Sequence, residues 1–147
     1  MSQVHTLEYQ LLHTLSNAYT LLVMSQDIHW NATGTQFYAL HEMTENHYTT
    51  LFESIDTIAE HMRSKTWHVP VGLDAFHKHS DISFVQHSLT SEPSYIKKLV
   101  EAYDVAIQQL ETAMKLARQD DCSDTDDMLI GILRTYKKHM WMLRSSH

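Results

Sequence analysis

Cysteine, proline, glycine and early basic residues are all scarce in this chain. The single cysteine, Cys122, excludes an intrachain disulfide and fits a reducing compartment. Three glycines and two prolines in 147 residues, with 43% hydrophobic residues, point to one mostly helical domain with a real core, spanning 1–147. No lysine or arginine precedes Arg63, so the first 62 residues offer nothing to neutralise a phosphate backbone. Lys97-Lys98 and Lys137-Lys138 read as solvated helix faces. No apolar run reaches the roughly 20 residues that span a bilayer. The stretch Met1-Ser2-Gln3-Val4-His5 has no basic n-region and no small-residue cleavage signal, so a cytoplasmic location is expected. What the chain does have is acid and imidazole: a net charge of −7 and 12 histidines, a weak pointer toward cations.

Hydrophobic periodicity organises the chain into four long helices. Leu7, Leu11, Leu15, Ala18 and Leu22 recur at three- and four-residue steps over about 7–32, with Thr6 placed to cap the start and Gly34 to stop it. A second helix over about 37–65 carries the stripe Leu40, Thr44, His47, Leu51, Ile55, Ile58, Met62. The third, from Ser91 or Ser94 to about 119, aligns Ile96, Leu99, Val100, Tyr103, Ile107, Leu110, Met114 and Ala117. The fourth, over about 125–144, aligns Leu129, Ile132, Leu133, Tyr136, Met140 and Leu143, with Met140 and Met142 as core fillers and Gly131 allowing close helix approach. Pro70, Gly72 and Pro93 mark a long connection over 66–93, in which Ile82, Phe84 and Val85 are expected to form a short helix. A four-helix bundle buries all four stripes, and the long connection between the second and third helices suits a crossover of the ferritin-like kind.

The chemistry concentrates between Asp27 and Arg63. His29 follows Leu22 and Leu15 by seven and fourteen residues, on the inward or interface stripe of its helix. On the second helix His41 and Glu45 are one i, i+4 pair, and Asp56 and Glu60 are another. All four fall within an arc of roughly 100°, with Tyr48 and Phe52 between them. Yet His41 and Asp56 are 15 residues apart, about 22 Å of helix rise, whereas ligands of one ion lie a few ångströms apart. Either there are two half-sites, or an antiparallel neighbouring chain brings its Asp56/Glu60 end onto this chain's His41 end. Bundles that build a di-iron site within one chain use Glu-x-x-His on two helices. No glutamate here has a histidine three residues later, which favours the intersubunit arrangement. Imidazole plus carboxylate without thiolate suits Fe(II), Mn(II) or Zn(II), and few protein ligands favour reactive iron over structural zinc.

The run Asp27-Ile28-His29-Trp30-Asn31-Ala32-Thr33-Gly34, with Phe37, Leu40-His41, Tyr48, Leu51, Asp56 and Ala59-Glu60, closely resembles the Dps family of mini-ferritins. Asp127-Met128-Leu129 and Lys138-His139-Met140-Trp141-Met142-Leu143 also resemble it, so the similarity covers essentially the whole chain. The resemblance implies an all-α, ferritin-like four-helix bundle assembled as a hollow dodecamer of two-fold dimers. It implies a ferroxidase centre at the dimer interface, with His29, His41 and Glu45 from one subunit and Asp56 and Glu60 from the other. Fe(II) would be oxidised there, with hydrogen peroxide as preferred oxidant, and stored as Fe(III). Trp30 beside the centre would intercept stray oxidising equivalents. Acidic residues at the start of the fourth helix line iron-entry pores in this family, and Asp121 and Asp127 are the matching candidates. Glu45 departs from the aspartate common at its position by one methylene. Many family members coat DNA with a lysine-rich N-terminal tail. Residues 1–6 carry no Lys or Arg, so DNA binding by that route is not expected.

Plain structural roles compete with these. Asp120, Asp121, Asp124, Asp126 and Asp127 complement a helix N-terminus without any pore. His61, His68, His77, His79 and His87 read as surface or loop residues, Trp30 as packing, and Tyr48 and Phe52 as interface core. Two other functional classes remain open: a nucleoid-compacting DNA-binding protein with secondary iron binding, and a bundle with a structural Zn(II).

Overall fold

A computed structural model describes residues 5–84 and 92–146. Five helices follow one another: α1 (Leu7–Asn31), α2 (Phe37–Ser64), the short α3 (Leu73–His79), α4 (Glu92–Gln119) and α5 (Ser123–Arg144). No strand occurs among the described residues.

The four long helices close a ring in the order α1, α2, α5, α4, each packed on its two neighbours. Side-chain contacts give the directions. Gln109 on α4 donates to the carbonyl of Gln10 near the start of α1, at 2.8 Å. Ser25, three-quarters along α1, lies beside the Tyr103 hydroxyl, nearer the start of α4. α1 and α4 are therefore antiparallel. His61 near the end of α2 meets Thr125 near the start of α5 at 2.8 Å, and Ser146 beyond α5 reaches Met43 near the start of α2. These two are antiparallel as well. Because α2 and α4 sit diagonally, the connection between them must travel back along the bundle. α3 lies in that connection and packs on α1, where Phe76 stacks on Tyr19 with ring centroids 4.0 Å apart.

The expected short helix is thus present but displaced. It falls at Leu73–His79, not around Ile82 and Phe84, which are irregular, and Val85 lies outside the described residues. A local turn and a long-range anchor set this. Gly72, at φ 140°, makes the turn that starts α3, and Phe76 alone is buried from it. Ile82 is buried without helical geometry because Ser80 and Asp81 are pinned to α1.

The core is the sum of the four stripes. Leu11, Leu15, Leu40, Leu51, Ile58, Met62, Ile96, Leu99, Leu110, Leu129 and Leu143 are all at most 1% exposed. Truncating any one of these leucines to alanine should cost about 2–5 kcal/mol through lost transfer energy and the cavity left behind. Met140 is buried and Met142 half-buried, as core fillers should be. Gly131 does not serve close approach within the chain: a Cβ built there meets nothing within 4 Å, because its face of α5 points away from the bundle.

The helix ends are explicit. The Thr6 hydroxyl caps α1 by accepting from the Tyr9 N–H at 3.2 Å. α2 and α4 both end in a Schellman arrangement. Trp67 N–H reaches the Met62 carbonyl and Thr66 N–H the Arg63 carbonyl. Cys122 N–H reaches Ala117 and Asp121 N–H reaches Arg118. The left-handed positions are Thr66 at φ 66° and Asp121 at φ 55°, so neither cap uses the favoured glycine. α5 begins at Ser123, two residues earlier than its stripe indicated, with Cys122 at the cap position and no side-chain capping bond. The acidic residues pair instead: Asp124 with Lys65 at 2.7 Å and Asp126 with Arg118 at 3.0 Å.

Candidate metal centre

The turn at 32–36 folds α2 back on α1 and brings His29 against His41. Their rings stack with centroids 3.7 Å apart and 15° between planes. Each ring's Nδ1 meets the backbone carbonyl of the other residue, His29 to His41 O at 2.8 Å and His41 to His29 O at 2.7 Å. A carbonyl oxygen can only accept, so both Nδ1 atoms carry the hydrogen. In the neutral form each ring then offers Nε2 as a lone pair, the form a metal requires, with orientation set by the backbone. Tyr48 packs edge-on against His29, with centroids 5.2 Å apart, and Phe37 tilts over His41. His29 is buried and His41 half-buried, so the pair sits at the edge of the bundle.

Glu45, one turn beyond His41 on α2, is exposed. Asp56 and Glu60 are also exposed, further along the same helix by about 22 Å of rise. Among the described residues no three His, Cys, Asp or Glu side chains stand close enough to hold a metal. One chain therefore supplies the histidine pair and, separately, a carboxylate pair. On the same stretch Phe52 and Trp30 are both 67% exposed, large apolar surface that a lone bundle leaves in water. Trp30 follows His29 directly but points outward. Asp121 and Asp127 are exposed, and Asp121 is also the left-handed residue that ends α4.

A second polar cluster lies inside the bundle. His47 on α2 stacks on His139 of α5, with centroids 3.8 Å apart at 16°. The Tyr103 hydroxyl on α4 lies 2.7 Å from His139 Nδ1. His47 is 1% exposed and neither ring nitrogen has a partner among the described residues; the same holds for the Tyr136 hydroxyl. Burial, aided by the neighbouring His139, pushes His47 down to about 3. Burial, aided by Lys138, pushes His139 down to about 4. Both are neutral at pH 7. Burial likewise raises both tyrosines. The sequence carried a signal for this cluster: His47 and Tyr103 occupy places in otherwise apolar stripes. The stripes alone did not show that they share one layer.

Comparison with known proteins defines the class. The family described as ferritin-like domain matches residues 8–146. The "DNA protection during starvation protein 2" of Bacillus anthracis is 30% identical over 125 residues, 85% of each chain. A low-temperature-induced protein of Nostoc is 31% identical over 134 residues, 89% of this chain and 74% of that one. Among solved structures, Dps from Listeria monocytogenes superposes with a TM-score of 0.91 over 95% of this chain and 92% of that one, at 22% identity. Dps from Vibrio cholerae, described as a member of a broad superfamily of ferritin-like diiron-carboxylate proteins, gives 0.87 over 95% and 87%, at 24% identity. The chain belongs to the ferritin-like family. Within it, the chain is a Dps-type mini-ferritin, and iron storage with ferroxidase chemistry is the activity at family level.

Proposed function

We propose that this protein oxidises Fe(II) with hydrogen peroxide at sites shared between two subunits and stores the Fe(III) inside a hollow dodecamer. The reciprocal His29–His41 pair carries this reading. It presents two oriented Nε2 positions at the bundle edge, and among the described residues its own chain gathers no set of three His, Cys, Asp or Glu side chains that would complete a metal cage without a partner. Glu45 joins the two histidines, and Asp56 and Glu60 come from the partner across a two-fold axis near the middle of α2. Exposed Phe52, together with Tyr48, supplies apolar surface for that contact. Nitrogen and carboxylate oxygen suit Fe(II), and Zn(II) or Mn(II) would compete for the same atoms.

The reaction consumes both Fenton reactants. Two Fe(II) ions each give one electron to one peroxide, whose O–O bond breaks with proton uptake to give water. Trp30 next to His29 is placed to take up stray oxidising equivalents. Asp121 and Asp127 would line the entry pores for Fe(II), where carboxylates raise the local cation concentration. The Bacillus relative is named for DNA protection. Here protection would come from removing iron and peroxide in the cytoplasm, since no basic residue precedes Arg63 to hold DNA.

Complementation tests the shared site. One variant carries His29→Ala/His41→Ala and the other Asp56→Ala/Glu60→Ala. Each alone should lose peroxide-dependent Fe(II) oxidation. Co-assembled at random in equal amounts, they should recover about a quarter of the wild-type sites, because each mixed dimer holds one intact centre and one doubly defective one. No recovery in verified mixed assemblies would place the centre within one chain.

A further inference from the structure

Between α1 and α3, away from the His29–His41 and His47–His139 pairs, lies a third pair of histidines. His13 Nδ1 is 3.1 Å from both carboxylate oxygens of Asp81. Asp81 is itself held: Asn17 donates to its carboxylate at 3.0 Å, and its own N–H donates to Asn17 Oδ1 at 2.8 Å. His79, at the end of α3, has its Nδ1 2.8 Å from the carbonyl of Ala75. Both rings thus carry hydrogen on Nδ1, and in the neutral form each offers Nε2 as a lone pair. A carboxylate or backbone carbonyl on Nδ1 is the arrangement that orients metal-ligating histidines.

The two rings stand 5.8 Å apart between centroids, at 82°. Two imidazoles on one ion with metal–nitrogen bonds of about 2.0–2.1 Å hold their centroids roughly 5–6 Å apart. His13 Nε2 is buried and has no partner among the described residues, a condition that native structures resolve with a water or an ion. His79 also lines an open cleft of about 300 Å³ together with Glu8, Tyr9 and His68.

We infer that His13 and His79 form a second site for a borderline divalent transition ion, of the Zn(II), Co(II) or Ni(II) class. The two Nε2 atoms are the protein ligands, and water from the cleft that Glu8 and His79 line fills the remaining positions. Two imidazoles suffice to select this class over Mg(II) or Ca(II), which take oxygen. The ion would clamp α1 to the end of α3. The residues are distinct from the proposed ferroxidase centre, so the two proposals stand or fall separately.

Co(II) titration of the assembled protein, followed by its visible d–d absorption and by metal content after gel filtration, tests the site. A His13→Gln/His79→Gln variant should bind one Co(II) fewer per subunit than wild type, with Fe(II) oxidation by peroxide unchanged. Asp81→Asn should keep the stoichiometry and weaken that site by roughly tenfold, the usual cost of losing an orienting partner. Unchanged stoichiometry in the double variant overturns the inference. Should that variant fail to fold, anomalous diffraction from a Co(II)-soaked wild-type crystal decides instead. Density between His13 and His79 supports the site, and cobalt found only elsewhere overturns it.

Discussion

His29 and His41 donate their Nδ1 hydrogens to each other's backbone carbonyl, at 2.8 and 2.7 Å. Because each ring is held by a carbonyl rather than by the other ring, losing one side chain leaves the survivor oriented. His41→Ala should therefore keep His29 in its Nδ1–H tautomer, visible in its ¹⁵N shifts, while Fe(II) oxidation falls by roughly tenfold or more for want of a ligand. A shift of His29 to the other tautomer would show that stacking, not the carbonyl, orients it.

The buried His47–His139 stack makes the fold acid-sensitive. In the unfolded chain both titrate near 6.5, but in the fold burial lowers them to about 3 and about 4. The unfolded state therefore binds more protons between those values. Their contribution is fully present above pH 6.5, is lost as pH falls toward 3, and is constant below. The full loss should be roughly 8 kcal/mol for the pair. Denaturant midpoints measured from pH 7 to pH 4 would register it as a steady decline.

His47→Leu separates that effect from general acid denaturation. It removes two buried nitrogens without partners and keeps an apolar group in the stripe. Stability at pH 7 should be unchanged or rise by about 1–2 kcal/mol, and the decline toward pH 4 should flatten. Tyr103→Phe should act oppositely at pH 7, costing about 1–3 kcal/mol by stripping His139 Nδ1 of its partner. Equal pH slopes for His47→Leu and wild type would remove His47 as the cause.

Thr66 occupies the left-handed position of the α2 cap at φ 66°. A β-branched residue is strained there and glycine is not. Thr66→Gly should stabilise the chain by roughly 1 kcal/mol, read as a higher melting temperature with unchanged iron oxidation. A lower melting temperature would mean that the Thr66 side chain makes contacts worth more than the strain.

Local signals were enough for most of the fold. Thr6 capped α1, Gly34 marked the turn to α2, and the stripes named the core, because a 3.6-residue period is written along the chain itself. The i, i+4 spacing of His41/Glu45 and Asp56/Glu60, with helix rise, also divided the candidate ligands into two groups from sequence alone. Where α3 falls was not legible, since the anchoring of Ser80 and Asp81 on α1 depends on residues about 60 positions away.

The sequence by itself determined the class of fold and which residues could be ligands, because periodicity and residue chemistry are local. Only the tertiary structure decided which nitrogen each histidine offers. That choice rests on carbonyls brought across the α1–α2 turn, on Asp81 and Asn17 around His13, and on the Tyr103 hydroxyl beside His139. A histidine's tautomer is set by its partner in space, and no spacing along the chain encodes that partner.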